Sequence, residues 1–440
     1  MVMEQRGWVR PSTLKFNLKY EEEILSGTKP FTISKDLVMQ SFELVKENAG
    51  AAGIDRQTIA DFELNLKDNL YKLWNRLSSG TYFPPPVKAV PIPKKSGGER
   101  ILGVPTVGDR IAQMVVKLTF EPCVEPYFLP DSYGYRPNKS ALDAIGVTRK
   151  RCWRYDWILE YDICGLFDNL DHSLLMKAVK KHTECNWVIL YIERWLTAPM
   201  QLPDGTLLER TRGVPQGGVI SPILSNLFLH YVYDAWMKRH YPETPWCRYA
   251  DDGLAHCETK EQAESLLEAL RQRFNECGLE LHPDKTKIVY CKDDNRKERH
   301  PKKEFDFLGY TFRGRLVKKR NEDVFFVSFS PAVSKGALKS MRAKTRQSNW
   351  RNRTDMSLNE IAQQYNPVLQ GWINYYGCYN RSSLYPMLGH FNRTLVAWAM
   401  RKYKKLRGHK TRASQLVKGI AERQPNLFAH WKIGMVGSFA

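Results

Sequence analysis

No run of about 18 apolar residues occurs in this chain, so no membrane-spanning helix is expected. The opening Met-Val-Met-Glu-Gln-Arg-Gly-Trp lacks a basic start leading into an apolar stretch, and no secretory signal is read there. The nine cysteines are odd in number and show no Cys-x-x-Cys spacing, which points to reduced thiols in a cytoplasmic protein rather than disulfides or a zinc site. Ten histidines are scattered with no His-x-x-x-His pair, so no zinc-nuclease motif is present. Acidic residues are scarce toward the end: residues 331–440 hold 19 Lys and Arg against only Asp355, Glu360 and Glu422. That stretch therefore carries +16 of the formal +20, a concentration that favours a polyanion through counterion release. Trp372, Tyr375, Tyr376, Tyr379, Trp398 and Tyr403 interleave with it as rings to stack on bases or ribose, which favours nucleic acid over a membrane surface.

What is present fits two or three domains with a large core: 440 residues, 42% of them hydrophobic. Arg248-Tyr249-Ala250-Asp251-Asp252-Gly253 reads as a strand, a tight Asp-Asp-Gly turn and a returning strand. Side-by-side carboxylates repel unless a cation sits there, although such a pair alone also suits a solvated hairpin tip. A second strand, Trp157 to Ile163, alternates in polarity and carries Asp162 at its end. Asp162 with Asp251 and Asp252 would bring three hard-oxygen ligands to one sheet edge. That is the donor set for two Mg²⁺ ions about 4 Å apart in phosphoryl transfer. Around these strands, hairpins alternate with helical patterns at 173–183, 186–197, 220–240 and 260–277, predicting an α+β domain. After Pro331 the pattern turns helical, at 334–348, 357–376, 382–403 and 411–422.

A longer series of segments accompanies these carboxylates. It runs Asn48-Ala-Gly-Ala-Ala-Gly-Ile-Asp55, Ile92-Pro-Lys-Lys-Ser-Gly-Gly-Glu-Arg100, Gly103-Val-Pro-Thr-Val-Gly-Asp-Arg110 and Ser132-Tyr-Gly-Tyr-Arg-Pro137. It continues through the Asp162 strand, Val214-Pro-Gln-Gly-Gly-Val-Ile-Ser-Pro222 and Tyr249-Ala-Asp-Asp252. It closes with Leu281-His-Pro-Asp-Lys-Thr286, Phe307-Leu-Gly-Tyr310 and Gly371-Trp-Ile-Asn-Tyr-Tyr376. In order and spacing, over roughly residues 40–435, the series resembles the group II intron reverse transcriptase/maturase family. Arg56, where many relatives have glycine, and Gly253, where an apolar residue is more usual, depart from the family pattern. No Cys/His-rich endonuclease module is recognisable.

The resemblance implies a right-hand RNA-directed DNA polymerase. Residues 1–34 would be an extension, 35–156 mainly fingers and 157–330 mainly palm. Residues 331–405 would be a helical thumb/maturase domain and 406–440 a basic C-terminal extension. Asp162, Asp251 and Asp252 would be catalytic, binding two Mg²⁺ (or Mn²⁺) with the carbonyl of Ile163. Lys94 and Arg100, flanking a fingers hairpin, would grip the dNTP triphosphate. Phe167 would crowd the sugar 2′ position, and Gln216 would contact the incoming nucleotide or the adjacent template base. Arg136 is a candidate template-side contact, Lys285 a candidate beside the leaving pyrophosphate, and Tyr249 an auxiliary nucleic-acid residue. Asp168 is read as a cap for the following helix or as an orienter of its neighbours, and Ser221 as the N-cap before Pro222. The implied partners are an RNA template, a DNA or RNA primer, dNTPs, structured intron RNA and target DNA. The same core also fits a domesticated relative in defence or DNA repair, or a splicing cofactor that binds RNA without polymerising.

Overall fold

The computed structural model describes residues 29–440, apart from 94–96, 320–321, 438 and 440. Among the described residues the strands in chain order are β1 (Val87–Pro93), β2 (Glu99–Val104), β3 (Trp157–Tyr161), β4 (Met200–Gln201), β5 (Leu207–Leu208) and β6 (Trp246–Tyr249). They continue with β7 (Asp252–Cys257), β8 (Lys287–Tyr290), β9 (Glu304–Phe307), β10 (Tyr310–Lys318) and β11 (Phe325–Val333). Three sheets result, ordered β2-β1-β4-β5, β6-β7-β3-β8 and β11-β10-β9. The mixed α+β architecture matches the expectation.

The chain packs into two compact units, neither contiguous in sequence. The first comprises residues up to Asn138 with Ile163–Pro242 and Ala269–His282. Its core helix, Val107–Val124, buries eleven of its side chains and begins at a Thr106 cap. The pattern read as one helix over 58–78 is broken at Asn65 into Ile59–Leu64 and Leu66–Ser78. The pattern at 220–240 is interrupted too, by a π-helical turn at His230–Asp234.

The second unit holds Lys139–Asp162, Glu243–Glu268 and everything from Pro283 on. Capping boxes at Ser140/Asp143 and Ser357/Glu360 start Ala141–Cys152 and Leu358–Tyr376, satisfying helix-end amides that would otherwise lack partners. Its helical part closes over Trp350, Trp398 and Trp431, all nearly inaccessible. Trp398 and Tyr376 are thus core residues rather than stacking platforms, whereas Tyr403 is exposed. The last residues take part in this core. Asn392 accepts from the rings of His430 (2.6 Å) and Trp431 (2.9 Å) and donates to the Met435 carbonyl (2.9 Å). The nine cysteines form no disulfide. Among the described residues no helix is long and apolar enough to cross a membrane.

Candidate active site

The carboxylates owe their positions to strand register. In the second unit β3 lies antiparallel to β7, pairing Trp157 with Cys257 through to Tyr161 with Gly253. Asp162 directly follows Tyr161, the last paired residue of β3, and Asp252 directly precedes its partner Gly253, so both carboxylates lie at this end of the ladder. β6 pairs Tyr249 with Asp252, so the reversal is a two-residue loop, Ala250–Asp251. The expected Asp-Asp-Gly turn is therefore corrected: Asp252 already belongs to the returning strand, and Ala250 takes the left-handed backbone at φ 56°. An L-residue in that region costs about 1–2 kcal/mol, and such strain concentrates where surrounding structure over-determines a functional loop. Part of that restraint is Arg248, buried, which donates to the Ala250 carbonyl at 3.1 Å.

Glycine at 253 has a steric reason. A Cβ there would lie 2.0 Å from Tyr161 Cζ and 2.2 Å from its hydroxyl. The ring of Tyr161, itself buried, covers the β7 backbone directly before Asp162. Sequence reading saw Gly253 only as a departure and missed Tyr161 as its cause.

Four carboxylates with two ammonium groups set the electrostatics. Burial pushes Asp252 up to about 8, reinforced by Asp251, Asp162 and Glu160 and opposed by Lys285. Burial likewise pushes Glu160 up to about 7 against the pull of Lys287, whose Nζ is 3.1 Å from its carboxylate. Lys285 Nζ donates to Asp162 Oδ2 at 2.8 Å. Burial alone would lower Lys285; the Asp162 hydrogen bond and the fields of Asp162, Asp252 and Asp251 reverse that and leave it raised. Among the described residues no three His, Cys, Asp or Glu side chains close tightly enough to enclose an ion. The three carboxylates of Asp162, Asp251 and Asp252 lie at one end of the β6-β7-β3-β8 sheet. The Lys285 ammonium holds one oxygen of Asp162. The donor chemistry fits divalent cations: hard carboxylate oxygens, one of the carboxylates buried, whose charged form a nearby cation would stabilise.

In the first unit a second set is knit by backbone contacts. Arg100 stands on β2 opposite Ile92. Lys94 lies outside the described residues. Gly103, also on β2, donates its N–H to the Gln216 carbonyl at 2.9 Å, and a Cβ on Gly217 would come within 2.4 Å of the Gly103 oxygen. Val214 N–H donates to the Phe167 carbonyl at 2.7 Å, and Gln216 Nε2 reaches Asp168 Oδ2 at 3.4 Å. Arg100, Gln216 and Phe167 are thus carried by directly bonded segments. Ile163, buried, bridges to Leu281. Gln113 holds the loop from behind and was missed by sequence reading. It donates to buried Asp109 at 3.0 Å and accepts from Val219 N–H (2.7 Å) and Ile220 N–H (3.3 Å).

Three local expectations are corrected. The helix after the Asp162 segment is capped by Asp171, which accepts from Leu174 N–H, and not by Asp168. The helix Ser221–Leu229 has Ile220 and not Ser221 at its cap position, with no side-chain cap bond, and Gln113 accepts from the Ile220 N–H just before it. Arg136, expected as a template-side contact, turns inward. Its five donors go to Glu125 (2.7 and 2.9 Å) and to the carbonyls of Leu129, Ser132 and Phe128.

A family model for the reverse transcriptase (RNA-dependent DNA polymerase) matches residues 92–312, half of the chain and all of the carboxylate edge. The chain belongs to the reverse transcriptase family. A group II intron maturase-specific domain follows at residues 338–415 of this reverse transcriptase. Protein YkfC of Escherichia coli is 33% identical over 63% of this chain and 79% of its own length. The group II intron-encoded protein LtrA of Lactococcus lactis is 30% identical over 57% of this chain but only 44% of LtrA, so less than half of that relative is spanned. Among solved structures, a telomerase from Candida albicans superposes with TM-score 0.43 at 12% identity, over 87% of this chain and 69% of that one. As a family member the protein is an RNA-directed DNA polymerase with divalent-metal-dependent chemistry.

Proposed function

We propose that this reverse transcriptase extends a primer 3′-hydroxyl on an RNA template with dNTPs at the Asp162–Asp251–Asp252 edge, and that it binds a structured intron RNA to assist splicing and retrohoming. The register that pairs Tyr161 with Gly253, so that Asp162 and Asp252 share one end of the ladder beside the Ala250–Asp251 turn, supports this reading most. These three carboxylates, with the Ile163 carbonyl, are the groups to hold a pair of Mg²⁺ ions. The ions would lower the primer hydroxyl's pKa and neutralise the leaving pyrophosphate. Lys285, bonded to Asp162, would turn to the departing phosphate as a charged donor. Arg100 supplies a forked cation to the triphosphate, Gln216 supports the base pair being formed, and Phe167 bars a 2′-hydroxyl. The polymerase subdomains read from sequence, fingers to about 156, palm to 330 and thumb beyond, complete the proposal.

The maturase-specific match and the surplus positive charge beyond residue 331 support intron RNA as the second ligand. Extension of a primer on RNA by the full chain, with dNTPs and Mg²⁺, tests the polymerase reading; no product with either Mg²⁺ or Mn²⁺ would refute it. Splicing of the parent intron by the Asp251→Ala protein tests the second role. Splicing retained without cDNA shows two separable functions, and absence of RNA affinity above background removes the splicing role.

A further inference from the structure

The first unit contains a cavity of about 770 Å³ whose walls include none of the residues assigned to catalysis or nucleotide binding. We propose that it is an accessory RNA site that takes one nucleotide of a single strand, its base among the rings and its phosphate on Lys181 and Arg239. Nucleotide-sized ligands occupy pockets of about 300–1,000 Å³.

Three observations carry the assignment. The π-helical turn His230–Asp234 closes with the Ala235 N–H donating to the His230 carbonyl, and the extra residue rotates the helix beyond the turn relative to the helix before it. Tyr231 therefore lines the same cavity as Trp236 and Arg239. Such turns recur at functional sites. This one is braced: Arg273 donates to the carbonyls of Tyr231 (3.2 Å) and Val232 (3.1 Å), and His182 Nε2 lies 2.7 Å from the Tyr231 hydroxyl.

The cations form the second observation. Lys181 and Arg239 are exposed and have no carboxylate partner among the described residues. Glu276, the acidic group of the lining, is engaged with Arg273 at 3.5 Å. The third is the set of rings. Tyr127, 60% exposed, stands edge-on to His182 at 4.6 Å, and Trp236 completes the wall. Flat rings beside cations that no carboxylate neutralises are how proteins hold an unstacked base with its phosphate.

The test is photocrosslinking of the full chain to a short thiouridine-labelled oligouridine, with affinity measured by anisotropy over a salt series. The crosslink is expected in the peptide bearing Tyr231 and Trp236. Lys181→Glu with Arg239→Glu, both at exposed positions, should weaken binding about tenfold or more and reduce the salt slope by about one per lost phosphate contact. Trp236→Ala should lose the crosslink and Trp236→Phe keep it; if Trp236→Ala misfolds, the charge-reversal pair decides. Unchanged affinity in the charge-reversal protein, with crosslinks only elsewhere, overturns the proposal. So does a site in which polyglutamate competes and oligouridine does not, which would mark an acidic protein partner. Primer extension on a short template, run in parallel, reads the carboxylate edge, so failure of the polymerase reading is seen separately.

Discussion

Gly253→Ala is the smallest change that reaches the carboxylate edge without touching a carboxylate. The added methyl would sit 2.0 Å from Tyr161 Cζ, whereas carbon atoms rest at about 3.5 Å or more, so one side must yield by about 1.5 Å. Tyr161 is 1% exposed and cannot swing into solvent. The adjustment passes instead to the ends of β3 and β7, which carry Asp162 and Asp252. Overpacking of this kind costs about 1–3 kcal/mol of stability. Misplacing a reacting constellation by about 1 Å costs about a hundredfold in rate. Single-turnover incorporation should therefore fall about a hundredfold while the melting temperature falls only a few degrees. Combining Gly253→Ala with Tyr161→Val, which frees the space on the strand, should recover a large part of the rate, giving strong non-additivity in a double-mutant cycle. Wild-type rate and melting in Gly253→Ala, or purely additive losses in the pair, would refute the steric link.

Gln113→Leu leaves two amide donors without their acceptor and should raise KM for dNTP several-fold, more than it lowers kcat; an equal loss in both would remove Gln113 as a positioning residue for the Gln216 loop. Phe167→Ala should admit ribonucleotides more readily, and unchanged sugar discrimination would make the ring a packing residue. Asp252 and Glu160 have folded-state pKa values raised above those of the unfolded chain, so their contribution is most favourable at low pH and is lost as pH rises through about 7 to 8. Without divalent ions the protein should then melt lower at alkaline than at mildly acidic pH. Asp252→Asn should flatten that profile, and a profile unchanged by Asp252→Asn would contradict the charge-crowding account.

The carboxylate-bearing strands were legible because alternation and a strand-end carboxylate are local signals, and the resemblance ordered them. The turn was misread by about a residue because left-handed backbone at an alanine defies local propensity. Arg56 shows the same effect: it adopts φ 59°, a left-handed conformation that glycine takes without steric cost. The inward turn of Arg136 and the role of Gln113 were not legible. Gln113 meets its amide partners 106 and 107 positions away, a pairing made by tertiary packing alone. The π turn at His230–Asp234 sits in a sequence with ordinary helical periodicity, which carries no sign of an extra residue. Among the basic-region aromatics, residue type could not separate Trp398, which lies in the core, from exposed Tyr403.

The central claim is that Asp162, Asp251 and Asp252 act as one divalent-ion site for nucleotidyl transfer. Single-turnover dNTP incorporation by Asp251→Asn, on an RNA template at saturating Mg²⁺, tests it most directly. A metal-held transition state is worth several kcal/mol, so the rate should fall by about a thousandfold or more while primer-template affinity is retained. Incorporation by Asp251→Asn at the wild-type rate would contradict the assignment.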